Sequence, residues 1–231
     1  MLRTGCQWKA LPKERFGSAS AIHKRFLEWE RAGVFEAIWA TGLAEYDQME
    51  GIAWRWQSIE GAMVKAPLAQ EQVGSNPTDR GKNGSKRHLR VHGRGVPLSF
   101  IVTGANRHDV TQLDAVLSCV MITGEVPAER RSKHWCLDAG YRGQAALEII
   151  ERHDYIPHVA SRAQEKAAKQ RHPGKKARRW MVEVCHSWLN RFRSLRVPYE
   201  KLERSFLALN HLAAGIIAFR KMRLKINIIY G

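Results

Sequence analysis

The chain has 231 residues, 44% hydrophobic and 26% charged, a balance that describes a folded globular protein and excludes a disordered one. Its 38 Lys and Arg outnumber its 22 Asp and Glu and leave a formal net charge of +16, which points to a polyanionic partner: nucleic acid first, with a ribosome-like structural surface or an anionic membrane face as alternatives. The four cysteines, Cys6, Cys119, Cys136 and Cys185, show neither a C-x-x-C pair nor a zinc-like spacing, so a disulfide-stapled class is excluded and a reducing cytoplasm is expected. The opening residues hold no apolar run of signal-peptide length, and the longest apolar stretch, Leu207–Phe219, contains Asn210 and His211 and is too short to span a bilayer.

In chain order, "SASAIHKRFLEWERAG" predicts a helix that starts from Ser18 or Ser20 as N-cap and closes toward Gly33, and "VFEAIWATGLAEY" predicts a second. In a basic protein this pair reads either as part of a DNA-binding helix-turn-helix or as a packing module without base contacts. Trp56–Ala66 has strand character. Asn76–His88 is rich in Gly and Lys and reads as a loop, and His88–Gly93 and Leu98–Gly104 read as two more strands of an antiparallel meander. "DVTQLDAVLSCV" predicts a helix capped by Asp109 or Thr111. "KHWCLDAGY" reads as a buried strand ending in an acid, "GQAALEIIERHD" as a helix, and "YIPHVAS" as a fifth strand that Pro157 places near an edge. Arg162–Arg179 is polar and basic and reads as a mobile loop. Lys176–Arg196 then reads as one helix, with an apolar stripe of Met181, Cys185, Trp188, Phe192 and Leu195 and a polar stripe of Arg179, Glu183, His186 and Asn190. A last helix covers Tyr199–Met222. The order is β-β-β-α-β-α-β-α with helices before and after, and no internal repeat is visible.

Phosphodiester chemistry with divalent metal needs a few convergent carboxylates, at strand ends and on a facing helix. Glu60 in the first strand, Asp138 at the end of the fourth and Glu183 on the late helix fit that pattern. Two have a named plainer reading: Asp138 as a turn residue and Glu183 as the i,i+4 ion-pair partner of Arg179. Arg80, Lys82, Lys86 and Arg87 crowd the Gly-rich loop, and Arg178, Arg179, Arg191 and Arg193 flank Glu183. They suit phosphate contacts, with a solvated basic surface as the alternative. Asn106, His108 and Asp109 read as turn and cap residues, Trp180 and Trp188 as core.

Three segments, "NPTDRGKNGSKRHLRVHGRGVPLSFIVTGANRHD", "LDAGY" and "KARRWMVEVCHSWLNRFRSL", in this order, resemble the DDE transposases of bacterial insertion sequences, with the similarity running from about Leu2 to Arg220. The resemblance implies an α/β, RNase H-like fold: a mixed five-stranded sheet flanked by helices, with a small N-terminal helical segment. It implies residues 1–50 as an N-terminal helical remnant for DNA binding or packing, 51–222 as the catalytic domain and 223–231 as a tail. It also implies an acidic triad binding Mg2+ or Mn2+, carried here by Glu60, Asp138 and Glu183. The expected partner is double-stranded DNA, both transposon ends and target, bound by a homo-oligomer at the nucleoid in the bacterial cytoplasm, away from any membrane. The family's first acid is the Asp of an "IDG" strand, and here the residues are Ile59-Glu60-Gly61. Val184 stands where Arg is usual after the catalytic Glu, and His92 where Asp is common. Asn190, with Arg191 beside it, stands where a DNA-contacting Lys or Arg is usual. Met1 falls inside a family helix, so an N-terminally truncated copy is expected, either a transposase or a catalytically dead DNA-binding remnant. A stand-alone RNase H-type nuclease is the third reading.

Overall fold

A computed structural model describes residues 1–122, 132–160, 162–171 and 178–222. Three helices open the chain: α1 (Lys13–Phe16), α2 (Ala19–Arg31) and α3 (Val34–Glu50). Ser18 caps α2 by accepting from the Ala21 amide at 3.2 Å. Gly33, at φ 69° and ψ 16°, makes the left-handed turn into α3 that a side chain would resist. The strands β1 (Trp56–Lys65), β2 (Gly74–Ser75), β3 (Asn83–His92) and β4 (Pro97–Gly104) follow, then α4 (Leu113–Ser118) and β5 (Lys133–Leu137). The remaining elements are α5 (Gln144–Arg152), β6 (Tyr155–Val159), α6 (Arg162–Arg171), α7 (Trp180–Leu189), α8 (Arg193–Arg196) and α9 (Glu203–Lys221).

The sheet runs β4-β3-β1-β5-β6, and the two-residue β2 adds to the start of β3 as a sixth strand. β1, β3 and β4 are antiparallel neighbours, while β5 and β6 run parallel to β1. This is the RNase H-like topology. β6 lies at the sheet edge, where Pro157 removes no ladder bond that a further strand would need.

Alternation along the strands builds a core on each face. Leu89 and Val91 of β3 pack with Trp39 and Leu43 of α3, Val182, Cys185 and Leu189 of α7, and Leu209, Ala213 and Ile217 of α9. On the other face Ile59, Trp135 and Leu137 pack with Leu113 and Val116 of α4 and Ala146 and Ile150 of α5. The N-terminal helices thus share a core with the sheet. Glycines let α3 and α9 approach closely: a Cβ on Gly42 would lie 3.6 Å from the Gly215 carbonyl oxygen. The first residues are stitched to the segment after α7, with Arg193 N donating to Arg3 O and Ser194 N to Leu2 O, both at 3.2 Å.

Four local expectations are corrected. The loop expected over Asn76–His88 gives way to strand at Asn83, because Ser85 to Arg90 find buried partners. Residues 162–171 of the expected loop form α6, whose Ala, Gln, Glu, Lys and Arg are good helix formers even without an apolar stripe; 172–177 lie outside the described residues, as does the 223–231 tail. The single helix expected over Lys176–Arg196 breaks after Leu189, where Phe192 turns to an extended φ of −86° and ψ of 98° and enters the core. The buried stripe of α7 is Val182, Cys185 and Leu189, with His186 beside it, because α7 packs against both the sheet and α9. No helix among the described residues is long and apolar enough to cross a membrane.

Burial holds four imidazoles neutral: His92 and His186 are pushed down to about 3, His88 and His211 to about 4. Their folded values lie below the unfolded 6.5, so the stability they contribute is present above pH 6.5 and is lost as pH falls toward 4. Each costs about 1.4 kcal/mol per pH unit across that window. The urea midpoint is expected to be level between about pH 7 and 8 and to fall steeply below about 6.5; a level midpoint down to pH 5 would contradict the burial.

Candidate active site

β1 pairs with β5 in parallel, Trp56 with His134, Gln57 with Trp135 and Ser58 with Cys136. Two residues further in the same register, Glu60 comes abreast of Asp138, the first residue past β5. Side-chain alternation puts both on the face that carries Ser58 and Cys136. α7 lies on that face as well. His186 Nε2 stands 3.4 Å from the Glu60 carbonyl oxygen, and Arg87 of β3 donates from Nη2 to Asn190 Oδ1 at 2.9 Å. Glu183, three residues before His186, is carried to the same region.

The electrostatics report that convergence. The Glu60 carboxyl is pushed up to about 7, first by burial, then by Glu183, with Asp138 and Asp109 adding to the shift and Arg179 opposing it. Its Oε2 is buried and has no hydrogen-bond partner. Glu183 Oε1 is paired with Arg179 Nη1 at 2.9 Å, the intrahelical pairing weighed from the sequence. Asp138 is exposed at the entry to a short 3-10 turn, Ala139–Tyr141. Among the described residues no three His, Cys, Asp or Glu side chains stand in an arrangement that holds a metal ion.

Asp109 belongs to this neighbourhood, although its sequence context suggested a helix cap. It makes no capping bond; the turn there is held instead by Thr111 Oγ1 donating to His108 O at 2.7 Å. Asp109 Oδ1 lies 3.2 Å from Lys86 Nζ and 3.4 Å from His88 Nδ1. It fills the space a side chain at Gly61 would need. The signal was present in the bare strand position next to Glu60, since Gly inside a strand marks close approach by another group. Tyr141 was also missed. Its buried hydroxyl has no partner, and burial with Asp109, Glu60 and Asp138 pushes its pKa up.

The basic residues divide into two groups. Arg80 and Lys82 are exposed on a turn organised by Asn76, whose Oδ1 accepts from Thr78 N at 3.0 Å and Thr78 Oγ1 at 2.9 Å. Arg178 and Arg191 are exposed at the two ends of α7, and Arg179 is engaged with Glu183. Lys86 and Arg87, expected on a DNA-facing loop, are instead strand residues only 6% and 0% exposed. Lys86 is spent on Asp109 and on the Arg107 carbonyl at 2.7 Å, and Arg87 on Asn190, so all three of Lys86, Arg87 and Asn190 have internal partners. A cavity of about 230 Å³ is lined by Trp56, Ser58, Cys136, Arg178, Trp180 and Met181, among others. Two larger ones, about 430 and 520 Å³, share Met1 and Trp8, and none of the three is lined by Glu60, Asp138 or Glu183.

The sheet, of RNase H-like order, thus carries one acid midway along β1, a second just past the end of the parallel β5, and a third on α7 on the same face. Two family descriptions match the chain: "Transposase DDE domain" over residues 135–220 and "Putative transposase of IS4/5 family" over 1–39. A protein of Burkholderia cepacia described as "Putative transposase for insertion sequence element IS402" is 33% identical over 156 residues, 66% of this chain and 71% of that protein. A second from the same organism, "Insertion element IS402 uncharacterized 16.2 kDa protein", is 27% identical over 33% of this chain and 53% of its own length. Among solved structures, a pre-cleavage Mos1 transpososome aligns at 10% identity and a TM-score of 0.35, covering 96% of this chain and 75% of that one. The catalytic domain of Mos1 mariner transposase aligns at 10% identity and a TM-score of 0.32, covering 80% and 90%. The chain belongs to the DDE transposases of insertion sequences. Its class is therefore that of DNA transposases, enzymes that cut DNA and transfer a strand.

The Glu60 carboxyl, raised from 4.5 to about 7, contributes stability that is fully present below pH 4.5 and is lost as pH rises through about 7. In metal-free buffer, Glu60→Gln is expected to exceed the parent by about 1 kcal/mol above pH 8, after allowance for solvent screening, and to match it near pH 4.5; parallel pH–stability curves would contradict the shift. Arg87→Met is expected to cost about 2–3 kcal/mol through loss of the buried bond and packing, whereas Arg80→Ala and Lys82→Ala stay within about 0.5 kcal/mol in the same urea titration.

Proposed function

We propose that this chain performs metal-dependent phosphoryl transfer on double-stranded DNA, with Glu60, Asp138 and Glu183 as the ligands of the divalent ions. The observation that carries this reading is the Glu60 carboxyl, half-buried with an unpartnered Oε2 and raised first by that burial and then by both of the other acids. Oxygen-only donors of this kind suit Mg2+ or Mn2+, and a cation offsets both the burial and the neighbouring acids that raise the Glu60 carboxyl. Closing the site requires Glu183 to leave Arg179. When bound, such ions lower the pKa of an attacking oxygen and offset charge on the leaving one. The chain itself supplies position: Arg80, Lys82, Arg178 and Arg191 hold backbone phosphates without reading sequence. In this reading water first frees a 3′-hydroxyl at the element's end, and that hydroxyl then attacks target DNA in line. Residues 51–222 are the catalytic unit, 1–50 its helical N-terminal part, and the working form is a homo-oligomer on DNA at the nucleoid.

One observation favours a second reading, a DNA-binding copy with little activity. Glu60 is a methylene longer than the family's Asp, and displacement of a ligand by about 1 Å can cost about 100-fold in rate. A nicking assay on supercoiled DNA carrying the element's ends separates the two. Glu60→Asp is expected to raise the Mg2+-dependent rate at least tenfold, and Asp138→Asn or Glu183→Gln in that background to return it to the level seen with chelator. A parent that is silent beside an active Glu60→Asp variant supports the second reading. No nicking by either, with Mg2+ or Mn2+, overturns the assignment of the three acids.

A further inference from the structure

Next to the acids, the same face of the sheet carries a second polar cluster. Trp56 meets two of its members: its ring stacks on His134 with centroids 4.1 Å apart and planes at 13°, and the Arg178 guanidinium lies 4.0 Å from its centroid. His134 Nδ1 is 2.8 Å from His158 Nε2, so one ring donates to the other. His158 is exposed and His134 partly so. The charged groups facing the pair are Arg178, ahead of α7, and Arg55, ahead of β1. Among the described residues no carboxylate forms an ion pair with any of these four. Two arginines and two imidazoles are thus gathered without an ion-pairing carboxylate among the described residues, and His134 lies four residues along β5 from Asp138, about 13 Å at strand rise.

We propose that Arg178, His134 and His158, supported by Arg55, form a proton-linked site for one backbone phosphate of bound DNA. The inference rests on the DNA-binding reading above. Burial and the neighbouring cations hold both imidazoles below their ordinary value, and the pair shares its internal bond as two neutral rings. A phosphate brings the negative charge the cluster lacks. One proton is then taken from solvent, the His134–His158 bond breaks, and each ring donates an N–H to phosphate oxygen. Trp56 packs against both Arg178 and His134, so one rigid ring positions the arginine and the pair before DNA arrives.

The test is calorimetry of the full chain with a duplex of about 30 base pairs near pH 6.5, in two buffers of different ionisation enthalpy, to count protons. The parent is expected to take up about one proton more than His158→Gln, a change at an exposed position. Its affinity is expected to rise up to about tenfold between pH 7.5 and 6, with a flatter profile in the variant. Arg178→Gln, which leaves both histidines in place, is expected to lower affinity and proton uptake together. Uptake that is unchanged in both variants overturns the phosphate site while leaving DNA binding intact. Failure of the parent to bind duplex at any pH in low salt overturns both readings.

Discussion

Three residue pairs, Trp56 with His134, Gln57 with Trp135 and Ser58 with Cys136, hold β1 parallel to β5. That pairing brings Glu60 abreast of Asp138 from a point 78 residues earlier in the chain. A slip by one residue would send every side chain of β1 to the opposite face. Ile59 would leave the core beneath α4 and α5, and Glu60 would be driven into it. The site is therefore specified by apolar packing more than by the acids themselves, whose mutual repulsion opposes their meeting. The raised Glu60 carboxyl reflects burial first and that repulsion second.

β3 shows how the same frame tolerates charge inside. Arg90 is 2% exposed, yet its guanidinium donates to Gln57 Oε1 at 2.7 Å, to the Leu117 carbonyl at 3.1 Å and to the Tyr155 hydroxyl at 2.6 Å. It also lies 4.9 Å from the Trp135 ring centroid. A buried cation that is fully satisfied in this way links β1, β3, β6 and the end of α4, and removing one partner would leave the charge uncompensated. Arg87 links β3 to the C-terminal end of α7 through one bond to Asn190, with its Nε and Nη1 buried and unpartnered. Several of the chain's basic residues are thus internal fasteners, and its high net charge overstates the basic surface.

Much of the architecture was legible in the sequence. The meander of β1, β3 and β4, the edge position of β6 and the Ser18 cap all follow from period, turn residues and proline. The misreadings share one cause. Local composition says which residues are polar, and only tertiary partners say whether a polar residue meets water. Lys86 and Arg87 sit in a Gly- and Lys-rich run that reads as loop, and their partners Asp109 and Asn190 lie far away in sequence. His186 belonged to a polar stripe on the helical wheel, but α7 is wedged between sheet and α9, which widens its buried arc. Asp109 was assigned to a cap because local rules see the turn and not the bare backbone of Gly61 across the sheet.

The close passage of α3 over α9 at Gly42 and Gly215 has a mechanical consequence. Helices this near cannot swivel without opening the core they share with the sheet. A duplex gripped at once by the N-terminal helices and by the sheet face would meet a caliper of set jaw width, not two hands on a string. Mismatch between a site's length and that width would then be absorbed by curvature of the nucleic acid, at an energy that depends on its own stiffness.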